Sequence, residues 1–227
     1  MSNEQFLTSR PLPGARLNMA HPLTKGLVGC WLLNEQSGMR AMDLSPYENH
    51  GSLSGFASPI RRPFNGLPFD GSSEIDLGSP YKINIVDAPL TIISWIKHPG
   101  IVGTYIIIGR LNGYGLYFTA TDVLRFGKIG VDEIVGADSV SANVWHQVGM
   151  VYSVDDKVNF YIDAVADSGN PVAYNTTFNT GLTYYVGSRG AAGYLTGSLG
   201  GVWVWNRALI KGDLDWHYAE PYDMFLR

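Results

Sequence analysis

Cysteine is almost absent. Cys30 stands alone in 227 residues, so no disulfide within the chain can brace the fold. It lies in the apolar run Leu27-Val28-Gly29-Cys30-Trp31-Leu32-Leu33, where a small buried hydrophobe is expected rather than a reactive thiol. Charge is scarce too. Only 16% of residues are charged, against about 25% in ordinary soluble domains. The net charge is −4, the pI is about 5.7 and the longest basic run is Arg61-Arg62. This leaves no electrostatic footprint for nucleic acid. No apolar stretch approaches the roughly 18 residues of a membrane span. The start, Met1-Ser2-Asn3-Glu4-Gln5, lacks the basic and apolar regions of a secretory leader. The expectation is a chain used without signal-driven export, or one whose leader has been lost. Phosphate-loop motifs, fixed-period repeats and low-complexity tracts are missing as well.

What is present points to strands. The chain is 45% hydrophobic and 12% aromatic, with 13 Tyr, 6 Trp, 27 Gly and 12 Pro. Aromatic residues suit pleated, half-buried surfaces, and the glycines and prolines supply turns. From Gly26 onward, short apolar runs recur about every 8–12 residues, as in a sandwich or barrel. Strands are expected at 27–33, 51–54, 67–70, 73–77, 90–97, 104–109, 114–119, 123–128, 131–136, 145–153, 157–165, 183–188 and 198–205. The strongest is Leu90-Thr91-Ile92-Ile93-Ser94-Trp95-Ile96-Lys97. Its alternation places Ile92, Ser94 and Ile96 on one face and Thr91, Ile93, Trp95 and Lys97 on the other. Asp155-Asp156 reads as the turn of a hairpin. Residues 166–182 read as a loop, and only 207–219 reads as a helix, capped by Asn206 and carrying Leu209, Leu214 and Trp216.

Chain organisation follows from the punctuation. Residues 1–25 form an extended arm, because Pro11, Pro13 and Pro22 exclude a regular helix or a central strand. The arm also carries Phe6, Leu7, Leu12, Leu17, Met19 and Leu23, apolar anchors that a solvated linker would not favour. Residues 26–210 form one antiparallel β-sandwich, and residues 211–227 form a helix and tail. The tail, with Tyr218, Tyr222 and Phe225, has the character of the arm. Both ends either grip a neighbour or fold back over their own sandwich; a neighbour is the expectation.

Several motifs occur in a set order. Gly26-Leu27-Val28-Gly29-Cys30-Trp31-Leu32-Leu33-Asn34-Glu35 precedes Asp43-Leu44-Ser45-Pro46-Tyr47-Glu48-Asn49-His50-Gly51 and Phe69-Asp70-Gly71-Ser72-Ser73. Trp145-His146-Gln147-Val148 leads to Phe160-Tyr161-Ile162-Asp163, and Val202-Trp203-Val204-Trp205-Asn206-Arg207-Ala208-Leu209 closes the series. This set resembles the laminin-G-like, concanavalin-A-like jelly-roll family. The Pro-rich start, His21-Pro22-Leu23 and the closing Glu220-Pro221-Tyr222-Asp223-Met224-Phe225 look like laminin-G-like proteins of tailed bacteriophages. That resemblance implies a virion structural or interaction protein, assembled in the host cytoplasm. Its partners would be other virion proteins or copies of itself, engaged through the arm and tail. The alternative is a carbohydrate-binding module for a surface glycan. In either case the chain is expected to bind or assemble rather than to catalyse.

The candidate chemistry is sparse. Glu74-Ile75-Asp76 resembles the start of the Glu-x-Asp-x-x-Glu pattern of laminarinase-like glucanases, whose paired carboxylates cleave glycosidic bonds. The last position here is Ser79, so no catalytic residue is assigned. The resemblance also implies a structural Ca²⁺ held by loop oxygens. Asp43 and Asn49, with Ser45 between them, are the candidate ligands. The family's acidic partner before the last strand is replaced by Gly197-Ser198-Leu199-Gly200-Gly201. An Asx-turn at Asp43 that merely closes its loop is the competing reading. His21, His50, His98, His146 and His217 show no zinc spacing, and His146 is expected to pack or pair near the surface. Gly187 to Gly193 reads as a hairpin loop. Tyr105, Tyr114, Tyr117, Tyr174 and Tyr184 are candidates to stack on sugar rings, although most tyrosines in sandwiches pack. No sugar-binding residue is assigned.

Overall fold

The apolar runs form strands and the polar gaps form turns. The computed structural model describes residues 10–56, 66–80, 82–87 and 89–226; Phe6, Leu7 and Arg61-Arg62 lie outside them. In chain order the strands are β1 (Leu27–Trp31), β2 (Arg40–Ala41), β3 (Gly51–Ser54), β4 (Leu67–Asp70), β5 (Glu74–Asp76) and β6 (Leu90–Lys97). Then come β7 (Tyr105–Gly109), β8 (Tyr114–Phe118), β9 (Val123–Lys128), β10 (Asp132–Ser139) and β11 (His146–Ser153). The last are β12 (Lys157–Ile162), β13 (Val165–Ala166), β14 (Val172–Ala173), β15 (Tyr185–Val186) and β16 (Thr196–Trp205), followed by helix α1 (Lys211–Ala219). The two-residue strands β2 and β14 were not foreseen; each is too short to show a period.

The strands form two antiparallel sheets packed as a sandwich. The first has the order β1-β16-β6-β11-β12-β13, with β4 also on β16 and β14 on β12; the second runs β10-β9-β8-β7-β15-β5-β3-β2. The expected hairpin is β11–β12, closed at Asp155-Asp156. Between the sheets, Ile92, Ile96, Val148, Met150, Val202 and Val204 meet Leu53, Ile75, Leu116, Phe118 and Phe126. The loop from Gly187 to Gly193 is not a hairpin. It carries the chain from β15 in the second sheet to β16 in the first, so it crosses between layers.

The reverse face of the first sheet is apolar as well. Ile93, Trp95, Trp203 and Trp205 point away from the sandwich core into a second cluster. The chain's own ends cover them: Leu17 and Leu23 come from the arm, and Leu214, Tyr222, Met224 and Phe225 from the helix and tail. Arm and tail also bond to each other. Asn18 N donates to Met224 O at 2.8 Å, and Leu226 N donates to Arg16 O at 2.8 Å. The Trp205 indole donates to Leu23 O at 2.7 Å. Over residues 10–25 and 211–226, therefore, the ends fold back over their own sandwich rather than reaching outward as expected. Pro22 does not extend the chain but opens a 3₁₀ turn, Pro22–Thr24, where its missing N–H costs nothing.

The helix starts four residues later than its sequence signals imply. Asn206 does not cap it, because Asn206 N is bonded to Gly26 O at 2.9 Å and continues the sheet. Asp213 closes the first turn instead, accepting from Ile210 N at 3.4 Å and from Arg207 at 2.8 Å.

Candidate functional site

The two outer faces of the sandwich differ. The first sheet's is covered by the chain ends. The second sheet's carries polar side chains where β3, β5 and β15 pair, and alternation decides what stands there. In β5, Ile75 enters the core, so Glu74 and Asp76 project outward together. Register places Ser52 and Tyr185 on either side of Asp76, and Ser54 beside Glu74. Ser52, Asp76 and Tyr185 thus form one cross-strand row, and Ser54 and Glu74 the next. Ser52 and Ser54 are exposed, and Glu74, Asp76 and Tyr185 half-buried.

The two carboxylates and the ring on this face are held. The Ser188 hydroxyl donates to the Glu74 carboxylate, and Asp76 Oδ1 accepts from Gly78 N at 2.7 Å. The Tyr185 ring lies over Gly190, where φ is +84° and an added Cβ would come within 2.9 Å of the ring, so no side chain fits there. Burial pushes the Tyr185 phenol up, as do the carboxylates of Asp76 and Glu74 beside it, while Arg110 acts in the opposite sense. The phenol therefore stays protonated and keeps a donor. Further along the face, Ile106, Tyr117 and Ile129 form a small buried cluster, with Arg125 beside Tyr117 in register. Ser79 falls beyond the end of β5, in an exposed loop, and contributes nothing to the face.

The tyrosines named from sequence lie elsewhere. Tyr105, Tyr114, Tyr117, Tyr174 and Tyr184 are between 0 and 7% exposed, so they cannot stack on a sugar. Tyr114 donates to Ile83 O at 2.8 Å, and the Tyr174 oxygen accepts from Lys128 N at 2.8 Å. Tyr114 and Tyr174 are thus core residues whose hydroxyls find backbone partners, while the Tyr117 and Tyr184 hydroxyls are buried without a hydrogen-bond partner among the described residues. A more accessible ring, Tyr185, is the neighbour of one of them.

At the proposed calcium loop, Asp43 is buried. Its Oδ1 accepts from Cys30 N and Ser45 N, both at 2.8 Å. Its Oδ2 accepts from the Ser45 hydroxyl at 2.7 Å and from Asn49 N at 2.8 Å. The Asn49 side-chain amide donates to Val28 O at 3.1 Å. Burial pushes the Asp43 carboxyl up, and these hydrogen bonds oppose it without prevailing. A calcium ion needs six to eight oxygens, whereas this carboxylate already receives four donors. The residues present do not fit the ion without displacing them. Among the described residues, no group of three or more His, Cys, Asp or Glu converges as a metal set.

Cys30 is buried, and burial raises its thiol well above the usual range, with Asp43 adding to the effect; this is an inert side chain. The histidines occupy separate places. His21 Nδ1 accepts from Leu23 N at 3.2 Å, and His50 Nδ1 from Asp43 N at 3.0 Å. His98 is buried near Asp122. His217 is enclosed by Trp203 and Trp205, with ring centroids at 4.8 and 5.5 Å. His146 Nδ1 meets Asp163 Oδ2 at 2.8 Å, and its Nε2 meets the Ser141 hydroxyl at 2.7 Å.

An antiparallel sandwich with one covered face and one polar open face is a lectin-like architecture. The chain belongs to the Concanavalin A-like lectin/glucanases superfamily, whose sequence profile matches residues 69–214. A search of curated protein sequences finds no match. Among solved structures, a mutant Trypanosoma rangeli sialidase with trans-sialidase activity superimposes with a TM-score of 0.64 at 16% identity. That match covers 99% of this chain but 38% of the sialidase chain. Domain 4 of an extracellular GH43 arabinanase from Geobacillus stearothermophilus, solved with arabinotriose, gives 0.64 at 14% identity over 83% of this chain and 96% of that one. Botulinum neurotoxin type C, whose cell entry depends on interaction with two ganglioside molecules, gives 0.63 at 14% identity over 89% and 53%. At these identities the likeness is one of fold.

Proposed function

We propose that this chain is a glycan-binding sandwich that receives its ligand on the open face of the second sheet, without glycosidase chemistry at Glu74 and Asp76. The supporting observation is the cross-strand row Ser52–Asp76–Tyr185. A half-exposed ring offers a sugar an apolar platform, while carboxylates and hydroxyls accept from and donate to its hydroxyl groups. The fold is shared with a domain solved with arabinotriose and with a toxin that engages gangliosides, which makes carbohydrate the natural ligand class to test. With Ser79 off the face, the third carboxylate of the glucanase pattern is missing. The test is a glycan array spanning arabinan, sialylated and ganglioside glycans, followed by titration of the best hit. Binding that weakens at least tenfold in Tyr185→Ala and Asp76→Ala supports the proposal. No binding on the array, or binding indifferent to both changes, overturns it.

A second reading, a subunit of a bacteriophage virion, draws on the surface between arm and tail. A groove of about 510 Å³ lies there, lined by Pro11, Ala15, Tyr222 and Phe225. At its rim Leu12 is 81% and Leu226 56% exposed. Self-association of the intact chain that is lost in Leu12→Ser with Leu226→Ser would support this reading, and a monomer at all concentrations would count against it.

A further inference from the structure

At one end of the sandwich, three side chains from three segments form a relay. Ser141 follows β10, His146 opens β11 and Asp163 follows β12. The Ser141 hydroxyl stands 2.7 Å from His146 Nε2, and Asp163 Oδ2 stands 2.8 Å from His146 Nδ1. Each ring nitrogen thus has the partner that nucleophilic serine chemistry requires: carboxylate on Nδ1, hydroxyl on Nε2. The carboxylate is itself fixed, since Asp163 Oδ1 accepts from Gln147 N at 2.9 Å and Asp163 N donates to Gln147 O at 2.7 Å. It therefore favours the tautomer with hydrogen on Nδ1, leaving Nε2 free to take the serine proton. Ser141 is exposed, whereas His146 is half-buried, so the nucleophile faces solvent and its base is shielded. The backbone N–H groups of Ser141 and Ala142 have no acceptor among the described residues.

We propose that Ser141, His146 and Asp163 constitute a serine acyl-hydrolase site that takes small O-acyl esters, such as an acetyl ester carried on the outside of a larger molecule. Ser141 Oγ attacks the ester carbonyl while its proton passes to His146 Nε2. The carbon–oxygen bond to the alcohol breaks, and that alcohol leaves with the proton from His146. Water then gives its proton to His146 and attacks the Ser141 acyl ester. The proton returns to Ser141 as the carboxylic acid departs. Ser141 and His146 are the catalytic residues, and Asp163 is a positioning residue acting through the imidazole. Other titratable groups stand near this relay. His98, held towards its neutral form chiefly by burial, lies within range of His146, with Asp122 beyond it, and Tyr218 of α1 faces Asp163.

This site shares no residue with the open face, so its success or failure is independent of glycan binding there. The experiment treats the intact chain with a fluorophosphonate probe, maps the adduct by peptide mass spectrometry, and follows p-nitrophenyl acetate hydrolysis from pH 5 to 9. The expected result is one adduct, on Ser141, and hydrolysis that falls at least 100-fold in Ser141→Ala. His146→Gln should abolish labelling. Asp163→Asn should lower kcat on p-nitrophenyl acetate with KM unchanged and the melting temperature held, a split that a merely structural bond would not produce. Ser141 is exposed and its side chain meets His146 alone in the hydrogen bonds described, so Ser141→Ala keeps the fold, as an unchanged melting temperature will verify. No adduct on Ser141 in the folded protein, or hydrolysis undiminished in Ser141→Ala, overturns the proposal.

Discussion

The two outer faces of this sandwich are built from the same kind of strand and end differently. On the first sheet, alternation sends Trp95, Trp203 and Trp205 outward, and the chain spends both of its ends covering them. On the second sheet, alternation sends Ser52, Ser54, Glu74 and Asp76 outward, and these need no cover. An exposed row of tryptophans would make a large apolar patch, whereas a row of serines and carboxylates stays hydrated. The side chains at every second position therefore decide which face is structure and which is free for a ligand.

Removing the cover is the harshest way to break that contrast. Deleting residues 211–227 takes away Leu214, Tyr222, Met224 and Phe225, all buried against the first sheet. At about 1.5–3 kcal/mol for each large apolar side chain, the loss rivals the roughly 5–15 kcal/mol total stability of an ordinary domain. The truncated chain is expected to aggregate or to bind a hydrophobic dye when expressed. A soluble, cooperatively melting fragment 1–210 would mean that the tail is an accessory.

Asp43 works at a seam beside the covered face, where its carboxylate ties the Cys30 backbone to the loop at Ser45 and Asn49. Asp43→Ala leaves several of these donors without a partner, at about 1–3 kcal/mol for each that stays buried. A destabilisation of about 3 kcal/mol in denaturant melts is the expected outcome. Because the four hydrogen bonds do the holding, a chelator should leave the wild-type melting temperature where it was. A chelator-induced drop that disappears in Asp43→Ala would instead establish the calcium site.

A smaller effect tests how tightly the cover is sealed. His217 stands on the buried face of α1 against Trp203 and Trp205, and burial holds its pKa down at about 3. The unfolded chain takes up a proton near pH 6.5, while the folded chain does not until far lower. The stabilisation is thus complete above pH 6.5 and declines as pH falls towards 3, by about 2 kcal/mol at pH 5. His98, also lowered chiefly by burial, contributes in the same direction. His217→Gln should flatten the decline between pH 6.5 and 5 without abolishing it. An unchanged slope would show the helix opening freely over the tryptophans.

Much of this division was legible in sequence. Alternation along 90–97 set Ile92 and Ile96 on one face and Ile93 and Trp95 on the other, as the structure has them. The covering by arm and tail was not decided there, because prolines with interspersed anchors suit a foreign groove and a home groove equally. The open face was half visible. Glu74-Ile75-Asp76 stood out, but its neighbours Ser52 and Tyr185 join it through pairing between strands distant in the chain. The tyrosines misled for a definite reason. Tyr184 and Tyr185 are adjacent, and a change of one residue in register exchanges inside for outside. Likewise Trp145-His146 and Ile162-Asp163 were visible as separate motifs, while the contact between them depends on the β11–β12 pairing.

The mildest perturbation belongs on the open face, and it sharpens the contrast most. Tyr185 is half-buried, and its ring lies over Gly190, which has no side chain to lose a contact when the ring is removed. Asp76 bonds to Gly78 N in an exposed turn, and Ser52 is exposed. None of the three closes the core between the sheets, which β3 and β5 reach through Leu53 and Ile75. Substitutions at exposed positions away from buried features usually change stability by about 0.5 kcal/mol or less. Asp76→Ala and Ser52→Ala should fall in that range, and Tyr185→Ala should cost about 1 kcal/mol for its partly buried ring. Glycan affinity should drop at least tenfold in the same Tyr185 and Asp76 proteins. Measuring both quantities on each variant separates the faces: on the covered one, side chains carry stability, and on the open one they carry recognition. If Tyr185→Ala instead destabilises the domain as severely as removing the tail, the row is structural and the ligand belongs elsewhere.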